Sequence, residues 1–473
     1  MQQALSPFAL PDHWPETPIP LASWQHFRIV PIAWQQQRLC VAVATTHAEQ
    51  HIETLSFRLK CEITTVWWTE AQLEQAMQAF VRDAHSQDGA INMASSHDGT
   101  IDTLQSLLNA ALLERSSDVH IEPYAQGYRQ RCRIDGLLHE VDTWSHSQGE
   151  RLIGRLKLLA GLDIGQARRP QDGALRMPLL SANDTDIRLS TLPTLYGEKA
   201  VLRFVPAGDG LRSCDQLGLT SQQSSALEQA LHQRAGLVLV TGPTGSGKSA
   251  SLYSMLKHLQ QGAHINIASV EDPIEARLSG INQVQIDRVA GLDFATVLRA
   301  FLRQDPDVMM IGEMRDTETA RIAIQAAQTG HLVLSSLHTG SVASALVRLH
   351  DLGIAPYNIA AGLRLIVAQR LVRRLCWHCR EVDTNIPAEL PQGTYYRAGA
   401  GCEQCRLGYQ GRMGIFEVVT MTAALRHAIV TQQQHDEIAQ HLRKTGVDSL
   451  FDAGITRARQ GETSLEEVYR VLQ

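Results

Sequence analysis

Cysteine is scarce: eight in 473 residues, too few for a disulfide scaffold in a chain this long, and a reducing compartment would not sustain one. Basic residues are not in excess either. Lys and Arg number 43 against 49 Asp and Glu, a net charge of −6 with a pI near 6.3, which excludes a protein built around bulk phosphate neutralisation. No apolar stretch approaches the roughly 20 residues that a membrane-spanning helix needs. The start, MQQALSPFALPDHW, lacks the charged-then-apolar layout of a signal peptide, so a cytoplasmic location is expected. Internal repeats and low-complexity tracts are also missing. What is present, 44% hydrophobic and 19% charged residues, fits ordinary globular protein. At roughly 150 residues per domain the length allows about three units.

The first stretch, residues 1–90, holds five of the seven tryptophans, Trp14, Trp24, Trp34, Trp67 and Trp68. Strand-like runs at 39–45 and 63–68 precede a helical pattern at 70–83, which predicts a small α+β module. Residues 86–100 are rich in Ser, Gly, Asp, Asn and His without apolar periodicity, so 91–100 reads as a linker. A second α+β module spans 101–208, with a helical pattern at 101–114 and short strands at 119–122, 128–134, 137–141, 187–191 and 200–205. Asp135-Gly136 and Asn183-Asp184 supply turn signals. From Gly236 the strands become continuous apolar runs, at 237–240, 265–270, 308–311 and 332–334, separated by helix-length segments. Strands buried on both faces have this texture, so 209–473 is expected to form an α/β domain around a parallel sheet. A cysteine-bearing segment at 375–410 and helical patterns at 420–473 follow within it.

Gly242-Pro243-Thr244-Gly245-Ser246-Gly247-Lys248-Ser249 stands directly after the run 237–240 and before a helical stretch. The glycines let backbone N–H groups turn inward around phosphate oxygens, and the helix start adds its positive dipole end. Lys248 would reach the β- and γ-phosphates and Ser249 would offer a hydroxyl to magnesium, so the pattern marks a nucleoside triphosphate site. Val308-Met309-Met310-Ile311-Gly312-Glu313 is a buried strand ending in a carboxylate, placed to act on the attacking water or the magnesium shell. Glu271-Asp272-Pro273-Ile274-Glu275 puts three carboxylates at the end of another strand. His331 and His338 flank the run 332–334, and both are expected at the sheet edge that carries the phosphate loop, where they would sense the γ-phosphate.

Cys376-Trp377-His378-Cys379 and Cys402-Glu403-Gln404-Cys405 form two CxxC knuckles, and four thiolates give the closed tetrahedral site that structural zinc favours. Cys40, Cys61, Cys132 and Cys214 stand alone and read as buried apolar residues. Arg364, Arg370, Arg373, Arg374 and Arg380 cluster before and within the zinc segment. Without interleaved aromatic residues they read as solvated or ion-paired, and nucleic acid is not expected as a partner.

Together these residues resemble the ATPases that power type IV pilus assembly and type II secretion. GLVLVTGPTGSGKS at 236–249 resembles that family's phosphate loop. SVEDPIE at 269–275 resembles its Asp box, RQDPDVMMIGEMRD at 303–316 its atypical Walker B, and TGHLVLSSLHT at 329–339 its His box. SSDVHIEP at 116–123, RIDG at 133–136 and STLPTLYGEKAVLRF at 190–204 are similar to the domain that precedes the motor. The resemblance covers about 101–473 and implies a RecA-like ATPase domain with a zinc-binding insertion. It implies catalytic acids at Glu275 and Glu313, His-box histidines at His331 and His338, and phosphate-reaching arginines at Arg188 and Arg203. It further implies ATP, Mg²⁺ and Zn²⁺ as cofactors and a homo-hexamer acting on an inner-membrane platform protein. Residues 1–90 would be an adaptor domain for a cytoplasmic partner and 101–208 a coupling domain, with the chain held peripherally at the inner membrane by partners. Ala250 stands where the family often has Thr, and the repeated Arg-Leu-Gly pattern associated with cyclic-di-GMP binding is absent from the first hundred residues. The rival readings are a P-loop DNA translocase or helicase with a zinc module, and an adaptor that binds ATP as a switch without turning it over.

Overall fold

The computed structural model describes residues 61–87, 99–179, 184–205, 213–261, 264–431 and 435–472 without a break, with shorter pieces before residue 61, chiefly 27–35 and 38–44. The chain divides into two units, one of residues 1–134 and 138–203, the other of 135–137 and 204–473. Among the described residues no helix is long and apolar enough to cross a membrane.

The first unit holds two sheets. Strands β1 (Val30–Gln35), β2 (Arg38–Val43) and β3 (Glu62–Trp67) form the smaller one, antiparallel between β1 and β2 and parallel between β2 and β3. Trp24, Phe27, Leu39, Val41 and Leu55 are buried beside it, and the helix Glu70–Gln87 follows. The polar stretch expected to be a linker lies, at 88–98, outside the described residues. The larger sheet comprises β4 (Asp118–Tyr124), β5 (Gly127–Ile134), β6 (Leu137–Trp144), β7 (Gln171–Pro178), β8 (Asp184–Thr194) and β9 (Gly197–Val205), in the order β6-β5-β4-β9-β8-β7. Asp135 and Gly136 turn β5 into β6 with φ of 49° and 90°, the left-handed pair that a two-residue hairpin requires. Of the other turn signal, Asn183 lies outside the described residues and Asp184 opens β8. The sequence reading missed β7, because a glycine and polar residues interrupt its short apolar run.

The second unit is built on a seven-stranded sheet of β10 (Gly236–Thr241), β11 (Ile267–Glu271), β12 (Asn282–Gln285), β13 (Val308–Ile311), β14 (Leu332–Leu337), β15 (Leu363–Leu375) and β18 (Tyr409–Thr420), in the order β12-β11-β13-β14-β10-β15-β18. The first six run parallel, and β18 returns antiparallel to β15. Alternate residues enter two separate cores: Leu237, Leu239, Met309, Ile311 and Val333 on one face, Val238, Val240, Val308, Met310 and Leu334 on the other. With helices covering both faces, every side chain of β10, β13 and β14 is buried, which is why these strands read as unbroken apolar runs.

Strands β15 and β18 were not expected. The apolar residues of β15 are interrupted by Arg364, Gln369, Arg370, Arg373 and Arg374, and the pattern reads as a basic cluster. The structure makes it the long arm of a hairpin, and the two-stranded ribbon of β16 (Glu381–Val382) and β17 (Tyr396–Arg397) lies in the cysteine segment between its arms. Arg373 donates to Glu467 through Nε at 3.0 Å and through its terminal nitrogen at 2.8 Å. Arg380 stacks on Trp377 and Tyr396, and Arg370 bonds the carbonyl of Gly340.

Two carboxylates of this unit lead to opposite expectations. Glu467, fully buried on the helix Leu465–Leu472, accepts from both Arg373 and Arg470. Burial opposes its charge, but the arginines win and hold its carboxyl below the usual range. Removing one partner of a buried pair leaves the other charge uncompensated, so Glu467→Ala should destabilise the protein by about 3–5 kcal/mol in denaturant melts. Glu417 on β18 is 7% exposed, and burial pushes its carboxyl up to about 7 despite the backbone N–H of Val342 and the charge of Arg370. Between its unfolded value, near 4.5, and about 7, the folded state keeps a proton that the unfolded state has lost. Stability attributable to Glu417 should therefore fall as pH rises from 4.5 to 7, by on the order of 3 kcal/mol. Glu417→Gln should flatten that slope in melts taken from pH 5 to 8.

Candidate functional site

The phosphate loop joins β10 to the helix Lys248–Gln260. Gly247 caps that helix at φ 89° and offers no side-chain bond to the first turn, and a Cβ there would meet Gln369 Nε2 at 2.8 Å. Glycine is therefore required, and the helix's first N–H groups remain available to an anion. Gly242 and Ser246 are buried, Pro243, Thr244, Gly245 and Ser249 exposed. Ser246 Oγ is buried with no hydrogen-bond partner among the described residues, an orphan that a phosphate oxygen would satisfy. Lys248, 8% exposed, folds back on its own loop and donates to the carbonyls of Gly242 at 2.8 Å and Pro243 at 3.1 Å. Burial lowers its ammonium to about 8, Glu313 pulls it back up, and Arg370 adds to the lowering.

Parallel strands deliver their C-terminal ends to this loop. Gly242 N–H donates to Leu337 O at 3.3 Å, and Met314 N–H to Ser336 O at 3.1 Å, which ties the ends of β10, β13 and β14 together. Glu313 follows β13. Its carboxylate meets His338 Nε2 at 2.8 Å and forms a close ion pair with Arg315. The other ring nitrogen of His338 lies 3.4 Å from Lys248 Nζ. An imidazole protonated at Nε2 donates to Glu313 and accepts from Lys248, completing the run Lys248–His338–Glu313–Arg315. Burial alone would raise the Glu313 carboxyl, but bonds from Arg315 and His338 outweigh it and hold the group below the usual carboxylate range.

The three acids after β11 part company. Glu271 is 4% exposed and accepts from Tyr253, from Ser269 Oγ at 2.7 Å and from Gln283 Nε2 at 3.1 Å. Asp272 lies 3.5 Å from Arg288 and 3.8 Å from Arg315. Glu275 is half-buried, and its backbone N–H donates to Tyr253 Oη at 2.9 Å. Burial first, then the neighbouring Glu271, push the Tyr253 phenol well above its usual range, so it remains a donor.

His331 corrects one expectation. It precedes β14, its carbonyl accepts from Gly236 N–H at the start of β10 at 3.1 Å, and its ring bonds Ala326 O. Seven extended residues at about 3.3 Å each separate it from His338 by about 23 Å. Within one chain, only His338 of the pair reaches the phosphate loop. Arg203 on β9 donates to Asp118 on β4 at 2.8 Å, and Arg188 sits opposite Ala174 in the β7–β8 ladder. The sequence reading assigned no part to Arg315, Tyr253 or Gln369. Arg315 stood two residues beyond Glu313 in the quoted motif, but no spacing rule links Tyr253 or Gln369 to the site.

All four sulfurs of Cys376, Cys379, Cys402 and Cys405 lie within 4.8 Å of one another, with separations of 3.5–3.6 Å between several pairs. Tetrahedral zinc with bonds near 2.3 Å places its sulfurs about 3.8 Å apart, so the cradle fits that ion. Cys376 N–H donates to Gly408 O at 2.9 Å, and a Cβ on Gly399 would lie 1.9 Å from Cys379 O. The two knuckles are thus held by backbone.

A phosphate loop at the C-terminal edge of a parallel sheet, with a buried lysine and an arginine-held glutamate, defines a P-loop ATPase of RecA-like fold. Residues 94–470 match the family described as "Type II/IV secretion system protein", and residues 5–87 match the MshEN domain. The chain belongs to the type II/IV secretion system protein family. It is 47% identical over 375 residues to a Pseudomonas aeruginosa protein named type IV pilus assembly ATPase PilB, covering 77% of this chain and 66% of that one. With the Escherichia coli K12 protein named protein transport protein HofB homolog it is 43% identical over 437 residues, covering 91% and 93%. Among solved structures, the Legionella pneumophila ATPase DotB matches 80% of this chain and 97% of its own, at 20% identity and a TM-score of 0.60. The pilus retraction motor PilT with bound ADP matches 77% and 96%, at 24% identity and a TM-score of 0.53. At these identities the two structures speak to the fold.

Metal analysis of freshly purified protein should find about one zinc per chain, and Cys376→Ser should lose it. Structural zinc supplies folding free energy on the order of 10 kcal/mol, so the variant should also be cleaved between residues 376 and 405 by limited proteolysis. Protein purified without zinc and still resistant there would defeat the assignment.

Proposed function

We propose that the chain is one subunit of a homo-hexameric motor whose ATP hydrolysis powers type IV pilus assembly or type II protein secretion through an inner-membrane platform protein. The observation that carries this reading is the run Lys248–His338–Glu313–Arg315 at the C-terminal edge of the sheet, in a chain similar over 77% and 91% of its length to proteins named as a pilus assembly ATPase and a protein transport protein. Residues 242–249 would cradle the phosphates of ATP, with Ser249 on magnesium. Bound magnesium would neutralise charge developing on the transferred phosphoryl group. Lys248 would exchange its loop carbonyls for phosphate oxygens. Glu313, kept ionised by Arg315 and His338, would align the attacking water, with Glu275 as the second acid. Positioning and charge stabilisation supply most of the rate in such a site.

Three parts would share the work. Residues 1–90 form an adaptor for a cytoplasmic partner, 101–208 couple nucleotide state to movement through Arg188 and Arg203, and 209–473 form the motor with its zinc segment. The protein would act at the cytoplasmic side of the inner membrane, held by partners. The engagement of Arg370, Arg373 and Arg380 within the chain favours this reading over a DNA translocase. Glu313→Gln should lower kcat at least about 100-fold while leaving ATP affinity within about threefold. Turnover at the normal rate by that variant would remove Glu313 from the mechanism.

A further inference from the structure

The segment that carries Glu275 has little regular secondary structure of its own, yet its backbone is tied down almost residue by residue. Ile274 N–H donates to Gln285 Oε1 at 3.3 Å, Glu275 N–H to Tyr253 Oη at 2.9 Å, Ala276 N–H to the same oxygen at 3.4 Å, and Leu278 N–H to Gln283 Oε1 at 2.7 Å. Gln283 Nε2 also donates to Ala276 O at 3.0 Å. Tyr253 is the centre of this arrangement. It is 2% exposed, stands on the helix that begins at Lys248, accepts two N–H groups and donates its own hydroxyl hydrogen bond to the buried carboxylate of Glu271. Glu271 is in turn fixed by Ser269 and Gln283. Such outer hydrogen bonds hold a working side chain in place without touching the substrate.

From this juxtaposition we infer that Tyr253 and Glu271 are a positioning pair that locks the Glu275 segment to the phosphate-loop helix, so that nucleotide held by Lys248 and the acid at Glu275 move as one body. The inference rests on the proposed role of Glu275. Tyr253 acts through the backbone of residues 275 and 276, whose N–H groups its hydroxyl accepts. A single hydroxyl therefore joins the phosphate-loop helix to a residue 22 positions further along the chain.

The test uses the full-length assembled protein. Tyr253→Phe keeps the ring in its core and removes only the hydroxyl. It should lower kcat about 10- to 100-fold with KM and ATP affinity, measured by equilibrium binding, within about twofold. Combined with Glu275→Gln, it should lower the residual single-turnover rate by less than twofold further, because groups acting through one another are not additive. Gln283→Ala, half-buried on an edge strand, should show the same split of kcat from affinity to a smaller degree and serves if Tyr253→Phe does not fold. Normal kcat in both variants, or rate losses that multiply with that of Glu275→Gln, would overturn the inference. Normal turnover by Glu275→Gln alone would instead overturn the role of Glu275 on which it rests.

Discussion

An ammonium group buried at the mouth of a parallel sheet sets the terms for everything around it. Lys248 is 8% exposed, and its charge is met by two loop carbonyls and an imidazole nitrogen. Such partners are weaker than an anion, so burial lowers its proton affinity. The N–H groups of the helix start and the buried hydroxyl of Ser246, without a hydrogen-bond partner among the described residues, add donors that suit an anion such as phosphate.

The same electrostatics divides labour among the carboxylates. Glu313 and Glu271 are both buried at strand ends, but their partners differ in kind. Arg315 and His338 meet Glu313 from the side of the phosphate loop, while Glu271 is enclosed by Tyr253, Ser269 and Gln283. The first is a charged group held at a working face, the second a fixed acceptor in the interior that braces its neighbours.

Much of this was legible in the residues. The apolar runs gave away β10, β11, β13 and β14 because strands buried on both faces cannot alternate polar and apolar residues. The phosphate loop and the cysteine knuckles were readable because short loops must bring their groups together by local geometry alone. β15 was hidden for the opposite reason. Its arginines find partners on a helix about 90 residues away and on backbone carbonyls, and no local pattern reports a partner that distant. His331 and His338 looked equivalent on either side of one strand, yet strand direction sends one to the phosphate loop and the other to the far edge.

The sequence by itself therefore determined the family, the phosphate loop, the two cysteine knuckles and the acids that end the strands, since each is carried by short motifs whose residues lie close together in the chain. Only the tertiary structure decided which histidine joins Lys248 to Glu313, that Arg315 holds Glu313 ionised, that the basic cluster is a strand of the sheet, and that Tyr253 braces the segment of Glu275. These are contacts between elements far apart in the chain. Their existence depends on strand order and direction, which hydrogen bonding and burial fix only when the whole sheet has formed.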